Sequence, residues 1–321
     1  MRSPDYLRLV SVEKRRHAIL RDRLIRLATQ TGAIKPLLRI LQAISLTPRE
    51  ENPRISSHEN LHDASRVLVY AHFDPEGVIS EADRYMISEF RGLGYAILVV
   101  STAVDTDQQH DALWASIHES IDGLITRPNV GFDFGSWSTG LGVLRLKERA
   151  IEQVVLLNNS VYGPMRQLAP ILQEVSECGD VFGFVASAEF KRHLPSVFLG
   201  FHSGVIHSKA FETFWSSYPV GSWKNITILR AELMLSDYFA KAGFETGCLF
   251  QSTACFARNP HTFLYRELIT HGFPFLKKSL FLRNYDDIDM SQWSEALGIE
   301  SRLLDLITAD VHRLRRAAKL D

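Results

Sequence analysis

Cysteine is scarce. The three in 321 residues, Cys178, Cys248 and Cys255, are too few and too far apart for a disulfide framework or a tetrahedral zinc site. Reduced thiols in a cytosolic setting are expected. No run of about eighteen apolar residues occurs, and the opening MRSPDYLRLVSVEKRR lacks the apolar core of a signal peptide. The expectation is a soluble intracellular protein. Excess charge of either sign is also missing: the formal net charge is −1, which removes any global pull toward nucleic acid. Several reaction signatures are absent too, with no Walker loop, no GxGxxG after the first strand, no HExxH, no nucleophile elbow and no paired CxxC. P-loop phosphoryl transfer, hydride transfer and zinc proteolysis lose their usual marks.

What is present is an ordinary globular composition, 45% hydrophobic and 23% charged. Residues 1–50 differ from the rest, with eleven basic and four acidic side chains for a local charge of +7. Two amphipathic apolar stripes there predict two basic helices, which would lie on an anionic leaflet or pack on protein. The polar stretch 47–65, broken by Pro48 and Pro53, predicts a linker at 51–65. An α/β alternation follows: strand Arg66 to His72, helix Ser80 to Leu93, strand Ala96 to Ser101, helix Asp107 to Ile117, strand Gly123 to Thr126, then a helix from Gly140 to Ala150. These lead into VVLLNNSVYGP at Val154 to Pro164, a buried fourth strand that breaks into turn chemistry. The pattern predicts a mainly parallel sheet flanked by helices. Beyond it, Val181 to Ala186 predicts a strand, Phe198 to Ile206 a bent strand or strand pair, and Ala210 to Tyr218 and Leu229 to Ala242 helices. An arginine-rich amphipathic helix closes the chain at Ser301 to Leu320.

In a parallel sheet the residues just past the strand ends share one edge, where ligands sit. Here those residues are His72 and Asp74, Ser101, Arg127 and Asn129, and Asn158, Asn159 and Ser160. Between the third and fourth strands, RPNVGFDFGSW offers Arg127 for a phosphate and Asp133 as an acceptor for a ribose or base. The competing reading makes Phe132, Phe134 and Trp137 the core face of a helix start with Asp133 as its cap, and the two are compatible.

The strings VYAHFDPEGVISEADRYMISEFRGLGYAILVVST, RPNVGFDFGSW, VVLLNNSVYGPM, HLPSVFLGF and NPHTFLYRELITHGFPFLKKSLF, in that order, resemble the rhamnan synthesis protein F family of bacterial polysaccharide glycosyltransferases. The resemblance covers roughly residues 66–285. It implies a GT-A-like, nucleotide-sugar-binding α/β fold in that span, with helical extensions at 1–50 and 286–321. It further implies transfer of a deoxyhexose, rhamnose in many cases, from a donor such as dTDP-rhamnose to a polysaccharide or lipid-linked glycan acceptor. The implied location is the cytoplasm, with contact at the inner-membrane surface and no nucleic-acid partner. The alternative is a catalytically weak glycan- or nucleotide-binding module of an assembly complex.

The family's pattern has Asp where this chain has Asn159, and a carboxylate there would hold Mg²⁺ or Mn²⁺ on the donor diphosphate. With an amide in its place, no metal ligand is assigned. The segment RAELMLSDYFAKAGF resembles the acidic helix of inverting GT-A enzymes and nominates Glu232 as the base that deprotonates the acceptor. Asp237 and Glu189 are alternatives, and Glu232 also fits a plain first-turn helix carboxylate. His193, Lys277 and Lys278, or Arg127, are expected to meet the leaving diphosphate, with a solvated surface pair the competing reading for the two lysines.

Overall fold

A computed structural model describes residues 52–146, 149–188, 191–217, 231–251, 259–282 and 298–318, together with 284, 288–290 and 293–294. The basic segment 1–50, Glu189, Leu229, Cys255 and the final residues of the chain lie outside the described residues.

Eight strands form one sheet in the order β1-β4-β3-β2-β5-β8-β7-β9. Its centre is the predicted parallel unit: β2 (Arg66–His72), β3 (Ala96–Ser101), β4 (Gly123–Thr126) and β5 (Gln153–Asn158). Apart from the exposed Arg66 that opens β2, each is an unbroken buried run, the pattern of strands covered on both faces. β8 (Phe198–His202) runs antiparallel to β5, and β7 (Val181–Ala186) antiparallel to β8, before β9 (Thr246–Gln251) closes the sheet parallel to β7. The expected bent strand at Phe198 to Ile206 is therefore β8 followed by a helical turn, Ser203–Ile206. The 51–65 stretch is corrected from linker to sheet edge. β1 (Arg54–Ser57) pairs antiparallel with β4, and Leu61, buried in the next helical turn, fills the space over Gly123. Charged and polar side chains on an edge strand make it look like a linker in sequence.

Helices cover both faces. On one lie α1 (Glu81–Gly92), capped by Ser80, α2 (Asp107–Ile117), opened by a Thr106–Gln109 capping box, and α4 (Leu168–Ser176). On the other lie α3 (Phe132–Leu144), α5 (Lys209–Ser216) and α6 (Leu233–Lys241). α3 begins at Phe132, eight residues earlier than the apolar pattern from Gly140 suggests and where the competing reading of RPNVGFDFGSW sets a helix start. Gly140 is instead its point of closest approach to the sheet: a Cβ there would meet Val69 at 2.8 Å and Val100 at 3.0 Å. A two-stranded ribbon, β6 (Val161–Tyr162) with β10 (Leu276–Lys277), follows the β5 loop. The last helix, α7 (Ser301–Ala317), packs on α1 with Leu303 and Ile307 against Ala82 and Tyr162. Among the described residues no helix is long and apolar enough to cross a membrane.

Candidate active site

The pleat divides the edge residues between the two faces. His72 and Ser101 continue the rows Leu68, Tyr70 and Ile97, Val99 of one core layer; Arg127 and Asn158 continue the rows of Ile125 and of Val154, Leu156 in the other. One shared sheet edge thus carries two polar groups, back to back.

On the α3 side a chain of hydrogen bonds links four segments. Asn158, buried at the end of β5, donates through Nδ2 to Asp133 Oδ2 and to the Ser196 carbonyl, both at 2.8 Å. Its Oδ1 accepts from the Ser160 N–H at 3.1 Å and from the Ser160 hydroxyl. Ser196 donates its N–H to Glu232 Oε1 at 3.2 Å and its hydroxyl to Oε2 at 3.1 Å. His193 gives Nδ1–H to the Lys191 carbonyl at 2.8 Å, which aims Nε2 at Glu232 Oε1, 3.6 Å away. Local backbone places these groups. Gly131 and Phe132 both take left-handed conformations, φ 78° and 53°, turning the chain into α3 so that Asp133 meets β5. Buried Trp137 fixes that helix by donating to the Leu157 carbonyl at 3.4 Å. Glu232 itself precedes α6 on a wider helical turn.

The electrostatics converge on Glu232. Burial pushes its carboxyl up, but the neighbouring His193, the charge of Lys277 and the Ser196 N–H outweigh that and hold it below the usual range. The carboxylate is ionised at neutral pH while its side chain keeps 14% of its surface accessible. His261 joins the group. Burial, then the charges of Lys277 and His193, hold its imidazole far below the ordinary value, so it is neutral. Asn259 accepts from the His261 N–H at 3.0 Å and lies 3.2 Å from Nδ1, orienting the ring.

The opposite face holds a buried ionic network. His72 Nδ1 pairs with the Ser101 hydroxyl at 3.0 Å, and burial lowers its pKa, keeping the ring neutral. Asp74, nominated for the donor, accepts from the N–H groups of Glu76 and Val78 and is gripped by both terminal nitrogens of Arg313, at 2.6 and 3.1 Å. Asp83 accepts from Tyr70 and Ser80, each at 2.7 Å, and from Lys278 at 3.2 Å.

The nominated residues Glu232, His193, Asn158, Asp133, Ser160 and Lys277 therefore come together, and Arg127 shares their face. Arg127 is buried there, donating to the Val130 carbonyl at 2.7 Å. Asn129 is exposed, and His72, Asp74 and Ser101 belong to the other face. Asp237 is turned away to Lys191, 2.6 Å distant. Sequence reasoning passed over Ser196, the link to Glu232, although it stands in the HLPS string. It also passed over His261, whose Asn-Pro-His setting marks only a helix start.

The loop does not fit a metal through Asn159. Its Oδ1 accepts from the Phe73 N–H at 3.2 Å and its Nδ2 donates to the Phe73 carbonyl at 2.9 Å, extending the β2–β5 pairing past the strand ends. The amide supplies the acceptor and the donor at once, which an ionised carboxylate could not, and its oxygen, the atom through which an amide would meet a cation, already accepts from Phe73.

This is a mixed α/β protein with a polar cluster, centred on one carboxylate, at the end of a central strand. The chain belongs to the rhamnan synthesis protein F family, whose sequence model matches residues 97–312, more than half of it. It is similar to the uncharacterized protein y4gN of Sinorhizobium fredii, 25% identical over 195 residues covering 59% of this chain and 48% of that one. It is also similar to the virulence protein VirA of Vibrio anguillarum, 26% identical over 205 residues covering 54% and 66%. The chain thus spans about half to two thirds of the length of these relatives. Among solved structures, the mannosyltransferase PcManGT of Pyrobaculum calidifontis, in complex with GDP-Man and Mn²⁺, is 14% identical, covering 92% of this chain and 86% of that one, with a TM-score of 0.38. That likeness is too distant to place any residue.

Proposed function

We propose that this chain is a GT-A-like glycosyltransferase of bacterial surface polysaccharide synthesis, moving a deoxyhexose, rhamnose, from a nucleoside diphosphate donor such as dTDP-rhamnose to a polysaccharide or lipid-linked glycan. Family membership supports the class of reaction. The observation that carries the mechanism is Glu232, an ionised carboxylate that keeps part of its surface accessible beside His193 and Ser196 and under the charge of Lys277. In this reading the acceptor hydroxyl oxygen bonds to the anomeric carbon as the bond from that carbon to the diphosphate oxygen breaks. The hydroxyl proton passes to Glu232, the leaving oxygen keeps the electron pair, and the anomeric configuration inverts. In the same reading Lys277 and His193, the cationic and imidazole groups acting on Glu232, would meet the charge on the diphosphate. The chain would work in the cytoplasm, touching the inner face of the membrane that carries its acceptor.

A second reading, a nucleotide- or glycan-binding module without turnover, is favoured by one observation: Asn159 is committed to Phe73 where the family's pattern has a carboxylate. Calorimetric titration with a panel of nucleotides and nucleotide sugars, each with and without Mg²⁺ and Mn²⁺, tests both. The transferase reading expects one nucleoside diphosphate sugar to bind, with little change on adding metal. Silence across the panel from folded protein overturns it.

A further inference from the structure

Lys277 and Lys278 are neighbours with opposite surroundings. The ribbon fixes their backbone: Lys277 pairs in register with Val161, and the Lys278 N–H donates to the Ser160 carbonyl at 2.9 Å, directly beside the Asn158–Ser160 loop. Alternation along a strand then sends successive side chains to opposite sides. The charge of Lys277 is near enough to Glu232 and His261 to lower the pKa of both. Lys278 is buried on the far side, 3.2 Å from Asp83 Oδ1 and 3.5 Å from Asp310 Oδ2, with its ammonium 4.9 Å from the centre of the Tyr162 ring. Asp310 belongs to α7, is buried, and accepts from Tyr162 at 3.0 Å and from Arg313 at 2.7 Å. Arg313 in turn grips Asp74 and Glu76 in the loop after β2. An uncompensated charge in such a place is costly, so the network holds its members to one geometry.

We propose that α7 is a working part of the site: Asp310 and Asp83 anchor Lys278, and that anchor makes Lys278 a positioning residue for its ribbon neighbour Lys277. The role of Lys277 rests on the transferase reading; the mechanical link does not. Loosening Asp310 frees Lys278 to shift, the ribbon shifts with it, and the charge of Lys277 acts less strongly on Glu232. The remaining groups facing that carboxylate, His193 and Ser196, belong to the loop before β8 and stay where they are.

The test reads the titration midpoint of the Glu232 carboxyl in the full chain by 13C NMR, its signal assigned with Glu232→Gln. Lys277→Met is expected to raise the midpoint by about one pH unit, the effect of losing one nearby cation. Asp310→Asn, some distance away on α7, is expected to raise it in the same direction, and the double variant no further than Lys277→Met alone. If Asp310→Asn does not fold, Arg313→Gln, which loosens Asp310 from the partly exposed side of α7, is read in the same way. An unmoved midpoint, or shifts that add in the double variant, overturns the proposal. None of these readings needs turnover, so a failure of the transferase reading would appear separately, as absence of any donor sugar transfer.

Discussion

At the scale of the residue, Asn159 is the most exacting position. Its amide is both donor and acceptor to Phe73, so Asn159→Asp removes the donor and sets a carboxylate against the Phe73 carbonyl. The expected cost is about 1–3 kcal/mol, the range for leaving a partly buried polar group unmatched. Urea unfolding measures it, and a variant as stable as the parent contradicts the clamp. The sequence made several site residues legible because their segments carry turn chemistry at strand ends: Asn158, Ser160, Asp133 and Glu232 do converge. What it hid was which face each one takes. His72 and Asn158 end adjacent strands, yet the one-residue difference in pleat phase sends them to opposite core layers. Ser196 was illegible because its role is a contact across 36 positions of sequence.

At the scale of the element, the edge strand β9 depends on backbone closeness that no side chain records. A Cβ on Gly247 would lie 1.8 Å from the Cys178 carbonyl oxygen, so the strand cannot keep its place beside the α4 exit if the glycine is replaced. Gly247→Ala is expected to cost about 3 kcal/mol, at the upper end for overpacking, because the obstacle is main chain. A thermal midpoint within a degree of the parent contradicts this. The central strands and first two helices could be read from apolar runs and caps, which are local signals. β1 could not, since its polar sequence gains strand character only by pairing with β4. The start of α3 was legible in part: the helix start with Phe134 and Trp137 on its core face is observed, but Gly131, not Asp133, stands at the cap, because Gly131 and Phe132 enter through left-handed conformations.

At the scale of the molecule, buried titratable groups set how the fold responds to acid. His72 and His261 have pKa values lowered from 6.5, chiefly by burial, so the unfolded chain takes up protons below about pH 6.5 that the folded chain refuses. Stability should be level near and above pH 7 and decline as pH falls past that point. Asp83 adds a second window. Burial raises it, but Lys278, His72, Ser80 and Tyr70 together lower it from 3.8 to about 2. Its contribution, about 2 kcal/mol, is present above pH 4 or so and is lost as pH falls toward 2. Urea midpoints followed from pH 8 to pH 3 should show both declines, and a level profile to pH 4 contradicts the assignment of neutral buried histidines. The direct test is to supply nucleoside diphosphate sugars with a glycan acceptor and follow release of the diphosphate by wild type and Glu232→Gln. The account predicts turnover of one donor by the wild type, and at least ~10²-fold less by the variant, with donor binding retained. Undiminished turnover by Glu232→Gln would contradict it.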